Sequence, residues 1–256
     1  MTTVADIMEF METLAPKSLK MDWDNVGLNC GSKSAPVQKI LVALDPFEHV
    51  CQEAVDWNAD LLLTHHPLIF RPWPMVTDEA AITRGLMNLV RHKISHFCAH
   101  TNLDCAQGGV NDVLAAKLGL KNVTTVPTDA HGMLRMGEVE EQALPDFLAV
   151  VKKTLGCDGL RYCDGGKNVH KVAVGGGGCA DGLYDTILAG CDTFVTSDVK
   201  YNGFWDAREQ GLNLIDAGHF HTENPVIAVL KEKIAAAFPD VEVKISETHL
   251  DCMKYY

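Results

Sequence analysis

Short apolar runs recur along the chain between segments of helical periodicity, and this alternation restricts the fold more than any other feature. Residues 39–44 (KILVAL), 61–63, 94–99, 169–174, 193–195, 212–215 and 241–245 each have the length and character of a strand. Between them lie helical patterns. Ile7, Phe10, Met11 and Leu14 form one stripe, and Phe147, Val150, Val151 and Leu155 form another that ends at Gly156. Further helices are predicted over about 79–91 and 111–118, and over 183–188 and 225–237, the last with Pro225 in the first turn. Asp45 is placed to cap the helix after the first strand.

Strands alternating with helices define an α/β fold with parallel or mixed sheets. The two halves also match each other. Lys39-Ile40-Leu41-Val42 aligns with Lys171-Val172-Ala173-Val174, and at the same offset Asp60-Leu61-Leu62-Leu63-Thr64 aligns with Asp192-Thr193-Phe194-Val195-Thr196. The expectation is two related α/β units, 1–125 and 126–256, facing one another across a cleft, with the chain free to cross between them.

Charge and cysteine usage exclude several roles. The 256 residues carry a net charge of −12 and no basic run, so a nucleic-acid partner is not expected. No apolar run approaches the roughly 20 residues that cross a bilayer, so no membrane partner is expected either. The nine cysteines are odd in number and include no CxxC pair, and the N-terminus lacks a basic and then apolar leader. The chain reads as reduced and cytoplasmic.

Three strand ends carry unusual side chains. In open α/β sheets, ligands bind beyond the carboxyl ends of the strands. Here those ends offer His65-His66, then Asp104 with His100, then His219-Phe220-His221-Thr222-Glu223. Each has a plainer reading taken alone. A histidine pair can be a hydrogen-bonded core feature, Asp104 a helix cap, and His219 and Glu223 a simple neighbouring pair. Their recurrence at successive strand ends points instead to metal, with imidazole and carboxylate donors suited to Zn, Fe, Mn, Co or Ni. Gly175 to Gly178 follow a strand and precede a helix, but match only part of a phosphate-binding fingerprint and read as a tight turn. No nucleophile elbow is present, Cys98 and Cys105 read as core thiols, and the remaining histidines, His249 among them, read as surface or structural.

Five segments together resemble one family. They are Trp23-Asp24-Asn25-Val26-Gly27-Leu28, Leu63-Thr64-His65-His66-Pro67-Leu68, His100-Thr101-Asn102-Leu103-Asp104, Thr196-Ser197-Asp198-Val199-Lys200-Tyr201 and Gly218-His219-Phe220-His221-Thr222-Glu223. In this order they resemble the GTP cyclohydrolase I type 2 homologue family, also called NIF-three-like, in a short form without an inserted domain. The resemblance implies two intertwined α/β units with mixed sheets, a ring-shaped homohexamer, and two divalent metal ions per subunit. By position, the metal ligands would be His65, His66, Asp104, His219 and Glu223, with the carboxylates between the ions and water completing the coordination. His100 would lie near the site. His221, where members often have a small residue, would be a further ligand or a proton-transfer group. The implied function is a metal-dependent hydrolase acting on a nucleotide, GTP by the family's name, or another small molecule. A metal-storing, metal-delivering or regulatory scaffold protein is the alternative.

Overall fold

Ile40, Leu41, Val42 and Ala43 are all buried, as are Leu61, Leu62 and Leu63, so neither run shows the alternating exposure of a surface strand. Strands apolar on both faces belong in the middle of a covered sheet. The computed structural model describes residues 1–256. They divide into unit 1, Met1–Ala106 with Ile227–Leu250, and unit 2, Gln107–Val226 with Asp251–Tyr256.

The first stretch of unit 1 runs α1 (Val4–Leu14), β1 (Gly27–Cys30), β2 (Lys39–Ala43), α2 (Glu48–Asp56), β3 (Leu61–Thr64), α3 (Ala81–Arg91), β4 (Ser95–Cys98) and α4 (Thr101–Cys105). Unit 2 begins with α5 (Val110–Lys117), β5 (Lys121–Thr125), β6 (Arg135–Gln142), α6 (Leu144–Leu155), β7 (Arg161–Cys163) and β8 (Val169–Val174). It continues with α7 (Leu183–Leu188), β9 (Thr193–Thr196), α8 (Tyr201–Glu209), β10 (Asn213–Asp216) and α9 (His219–Glu223). The chain then runs through α10 (Pro225–Ala237) to β11 (Glu242–Ile245).

Both sheets are mixed. Unit 1 has the order β1-β4-β3-β2-β11, with β1 alone antiparallel to its neighbour. Unit 2 has the order β5-β6-β8-β9-β10-β7, in which β8, β9 and β10 are parallel and the other pairings antiparallel. Leu41, Leu62, Val50, Cys51 and Leu89 make a core between the unit 1 sheet and its α2 and α3 helices. In unit 2, Val172, Val174, Val195 and Ile215 pack with Phe147 and Val151, while Ala173, Phe194 and Leu214 pack with Leu183 and Ala207. That sheet is therefore covered on both faces.

The internal match has a structural counterpart. Asp60 accepts hydrogen bonds from Gln38 N and Lys39 N through its carboxylate, and its own amide donates to Lys39 O at 2.9 Å. Asp192 does the same, accepting from His170 N and Lys171 N while its amide donates to Lys171 O at 3.0 Å. Each aspartate locks the entry of one parallel strand to the entry of the strand before it. The equivalent registers are Ile40 with Leu61 and Val172 with Thr193.

A single cut near residue 125 does not describe the partition. Residues 227–250 belong to unit 1 because β11 pairs in parallel with β2, Val243 opposite Ile40. Residues 107–125 belong to unit 2 because Leu114, Ala115, Leu118 and Leu120 share a core with Phe147 and Val172. The sequence also gave no warning of β5, β6 or β7. Every residue of β5 is exposed, and β6 (RMGEVEEQ) is mostly polar, because both lie at or near a sheet edge in antiparallel pairing.

Glu53, on α2, gathers the segment after β11. Its carboxylate accepts from Ser246 Oγ at 2.5 Å, Thr248 Oγ1 at 2.7 Å, Glu247 N at 2.9 Å and Thr248 N at 3.2 Å. Burial opposes its charge, but these donors outweigh burial and hold its carboxyl below the usual range. A depressed folded-state value means that the stabilisation is present above the unfolded pKa of about 4.3 and is lost as pH falls through the folded value. Glu53→Gln is expected to cost about 1–2 kcal/mol at neutral pH. Melting curves from pH 7 down to 3 should show the wild-type advantage shrinking with acid.

Candidate metal centre

The carboxyl ends of β2, β3 and β4 carry the unit 1 donors. β3 stops at Thr64, whose hydroxyl donates to His66 O at 2.5 Å and accepts from His96 Nε2 at 2.8 Å. His65 N and His66 N then bond Ala43 O and Leu44 O, so both imidazoles leave the strand end in fixed directions. His96 is fully buried, and burial pushes its pKa down to about 3, so it supports this turn as a neutral ring. Beyond β4, His100 precedes α4, and Asp104 sits within that helix.

Each unit 1 ring is oriented by its Nδ1. His65 Nδ1 donates to Ala99 O at 2.8 Å, His66 Nδ1 to Asp45 Oδ1 at 2.7 Å, and His100 Nδ1 to Asp24 Oδ1 at 2.9 Å. A neutral imidazole that donates from Nδ1 presents the lone pair of Nε2. Metal-ligating histidines characteristically donate their other nitrogen to a carboxylate or carbonyl in this way. His65, His66 and His100 each bring a ring nitrogen within 4.8 Å of the others, a group that could hold a metal ion. Asp104 Oδ1 lies 3.5 Å from His65 Nε2, both residues being buried.

The orienting acids stay ionised. Burial works against Asp24, but bonds from His100 and from the Thr101 hydroxyl and amide hold its carboxyl at about 2. Asp45 is likewise opposed by burial and held well below the usual range by His249 and His66. The sequence reading made Asp45 a helix cap. Instead α2 starts at Glu48 behind Phe47 with no side-chain cap, and the Asp45 carboxylate faces the two imidazoles.

Unit 2 repeats the scheme at the ends of β8, β9 and β10. His219 and Glu223 stand at the first and last positions of α9, with His219 Nε2 3.0 Å from Glu223 Oε2. His219 Nδ1 donates to Asp198 Oδ2 at 2.7 Å. The run from Gly175 to Gly178 packs against this pair as a tight turn. Gly177 N donates to Thr222 Oγ1 at 3.0 Å and Gly176 N to Asn111 Oδ1 at 2.7 Å. A Cβ on Gly177 would lie 1.9 Å from Glu223 Oε1 and 3.0 Å from His219 Nε2, so the glycine leaves a cradle for the carboxylate. The donor chemistry in both units, imidazoles with buried carboxylates, fits a divalent transition metal.

His221 does not join this pair. Its Nδ1 donates to Leu155 O at 3.1 Å, and its Nε2 lies 3.1 Å from Asp251 Oδ2. It serves to hold the C-terminal residues of unit 2. The orienting aspartates were missed as a set, although Asp24 and Asp198 lay inside the segments that carried the family resemblance. Asp198 has φ +54, a left-handed conformation that asparagine also tolerates. Asp198→Asn therefore changes the charge behind His219 while sparing the backbone. Metal titration should show an affinity loss of about tenfold or more.

An α/β protein with oriented imidazoles and carboxylates at the ends of its parallel strands belongs to the class that could bind metal. The family model Duf34/NIF3 (NGG1p interacting factor 3) matches residues 2–251, and the chain belongs to this family. A protein of Clostridium perfringens named GTP cyclohydrolase 1 type 2 homolog is 35% identical over 98% of both chains. Staphylococcus aureus hypothetical protein SA1388 has a similar structure, with a TM-score of 0.92 at 27% identity over 99% of each chain. Reduced HcgD from Methanocaldococcus jannaschii has a TM-score of 0.84 at 30% identity, over 96% of this chain and 98% of that one. No helix is long and apolar enough to cross a membrane, and all nine cysteines are free thiols.

Proposed function

We propose that His65, His66 and Asp104 in unit 1 and His219 and Glu223 in unit 2 are ligands of two divalent metal ions, and that the protein is a metal-dependent hydrolase of a small molecule. The observation that carries this reading is that rings fixed through Nδ1 turn Nε2 toward buried carboxylates within each unit. His65, His66 and His219 each spend Nδ1 on a carbonyl or carboxylate and offer Nε2. His92, His170 and His221 also donate from Nδ1 to a carbonyl, but what sets the site rings apart is where Nε2 points: that of His65 lies 3.5 Å from the buried Asp104 carboxylate and that of His219 lies 3.0 Å from the buried Glu223 carboxylate. His100, fixed by Asp24 in the same way, stands beside His65 and His66 as a proton-transfer group or further donor.

Two bound ions would supply an activated water and neutralise charge that develops on substrate oxygen. The protein's part is to fix the donors before the metal arrives. Asp24, Asp45 and Asp198 hold three rings in place, and the buried carboxylates of Asp104 and Glu223 favour cations over anions. The name carried by relatives makes GTP the first substrate to test. The net charge of −12 requires any attraction for a triphosphate to be local.

The experiment loads purified protein in turn with Zn, Mn, Fe, Co and Ni and assays GTP, other nucleotides and phosphoesters, with light scattering on the same sample. The hydrolase reading expects metal-dependent turnover, and the proposed hexameric ring expects a mass several times 28.0 kDa. Absence of turnover with every metal, together with ready release of metal to a chelating acceptor, would replace it with a metal-handling role.

A further inference from the structure

His249 lies after β11, and the sequence offered no reason to connect it with His66. Yet His249 Nε2 is 2.8 Å from Asp45 Oδ2, while Asp45 Oδ1 is 2.7 Å from His66 Nδ1. One carboxylate thus receives a ring on each oxygen. We propose that His249 is a positioning residue for the metal centre, acting through Asp45 to hold the imidazole of His66. The proposal rests on the reading of His66 as a metal ligand.

Four observations within unit 1 support it. The His249 side chain is 6% exposed, and those of Asp45 and His66 are 17% and 18% exposed, so water competes poorly for these bonds. His249 is also fixed from outside. Its backbone N donates to Ser246 Oγ at 3.2 Å, and Ser246 and Thr248 are both gripped by the Glu53 carboxylate. Its ring stands 5.8 Å from the Phe47 ring and 6.2 Å from that of His49. Finally, Asp45 caps no helix, so its carboxylate has no competing structural duty at α2.

A carboxylate held on one oxygen only can swing about χ2, and the ring that it orients swings with it. With both oxygens engaged, Asp45 defines one plane for His66. The segment 246–249 is then part of the apparatus that aims a ligand, although its residues offer no donor of their own to the metal.

The test compares wild type, His249→Ala and His249→Gln by equilibrium titration with Co(II), following the visible absorption bands that report cobalt coordination geometry. His249→Ala should weaken cobalt binding about tenfold and alter the band pattern. His249→Gln, whose side-chain amide can donate to Asp45, should restore most of both. Melting of the metal-free proteins separates this from a stability effect, because a purely structural His249 would lower the melting temperature without changing the cobalt spectrum. Unchanged affinity and spectrum in His249→Ala, beside a wild type that binds cobalt, would overturn the proposal. A wild type that binds no cobalt, zinc or iron would instead overturn the metal-centre reading.

Discussion

His65→Ala and Glu223→Ala should each cut bound metal by at least about tenfold while leaving a folded chain. The first half of this expectation follows from donor chemistry. Each substitution removes a side chain that no neighbour can replace, since the adjacent donors are already aimed by their own partners. Second-layer partners of metal ligands alone are worth roughly 10- to 100-fold in affinity, and direct ligands should be worth more. The second half follows from where the cores lie. The apolar clusters of unit 1 and unit 2 are built from residues such as Leu41, Leu62, Phe147 and Val172, and neither His65 nor Glu223 belongs to them. Elemental analysis should therefore show depletion in proteins whose circular dichroism is native. Unchanged metal content in both variants would remove the site.

Gly177→Ala should damage both stability and metal binding in unit 2. Gly177 has φ +61, where an L side chain is strained by about 1–2 kcal/mol. The new Cβ would also sit 1.9 Å from Glu223 Oε1, so the carboxylate must leave its place. Glu223 is buried, and moving it disturbs the contact with His219. Gly178→Ala is the matched control. At that position φ is −77, and the nearest atom to an added Cβ is Asp198 Oδ2 at 3.8 Å. The expected outcome is a melting temperature several degrees lower and severe metal loss for Gly177→Ala, with near wild-type values for Gly178→Ala. Equal behaviour of the two variants would contradict the cradle.

The parallel strands were legible because burial on both faces leaves an apolar run. The runs at 39–44, 61–63 and 169–174 fall on β2, β3 and β8 to within a residue. The matched aspartates, Asp60 and Asp192, were legible too, since their role is local and repeats. What escaped was whatever depends on a distant partner. β5 and β6 are polar because they lie toward one edge of the unit 2 sheet, and sheet order is not written in local periodicity. His249 looked like any exposed tail histidine until β11 paired with β2 and brought the segment after it beside Asp45. The assignment of Asp45 as a cap failed for a related reason. An acid before a helix satisfies the local rule, but two imidazoles from 21 and 204 residues away compete for the same oxygens.

The pairing of β11 along β2 also bears on how the chain tolerates cutting. After Lys39, β2 is a buried apolar ribbon, and β11 occupies the side of it that β3 leaves open. Loss of the last twenty residues would bare unsatisfied amides and carbonyls beside Ile40 and Val42, a ready template for strand addition by another molecule. Proteolytic trimming near 238 should thus yield fibrous or amorphous precipitate rather than a shortened protein in solution, and affinity handles are better fused ahead of Met1 than used to replace the tail.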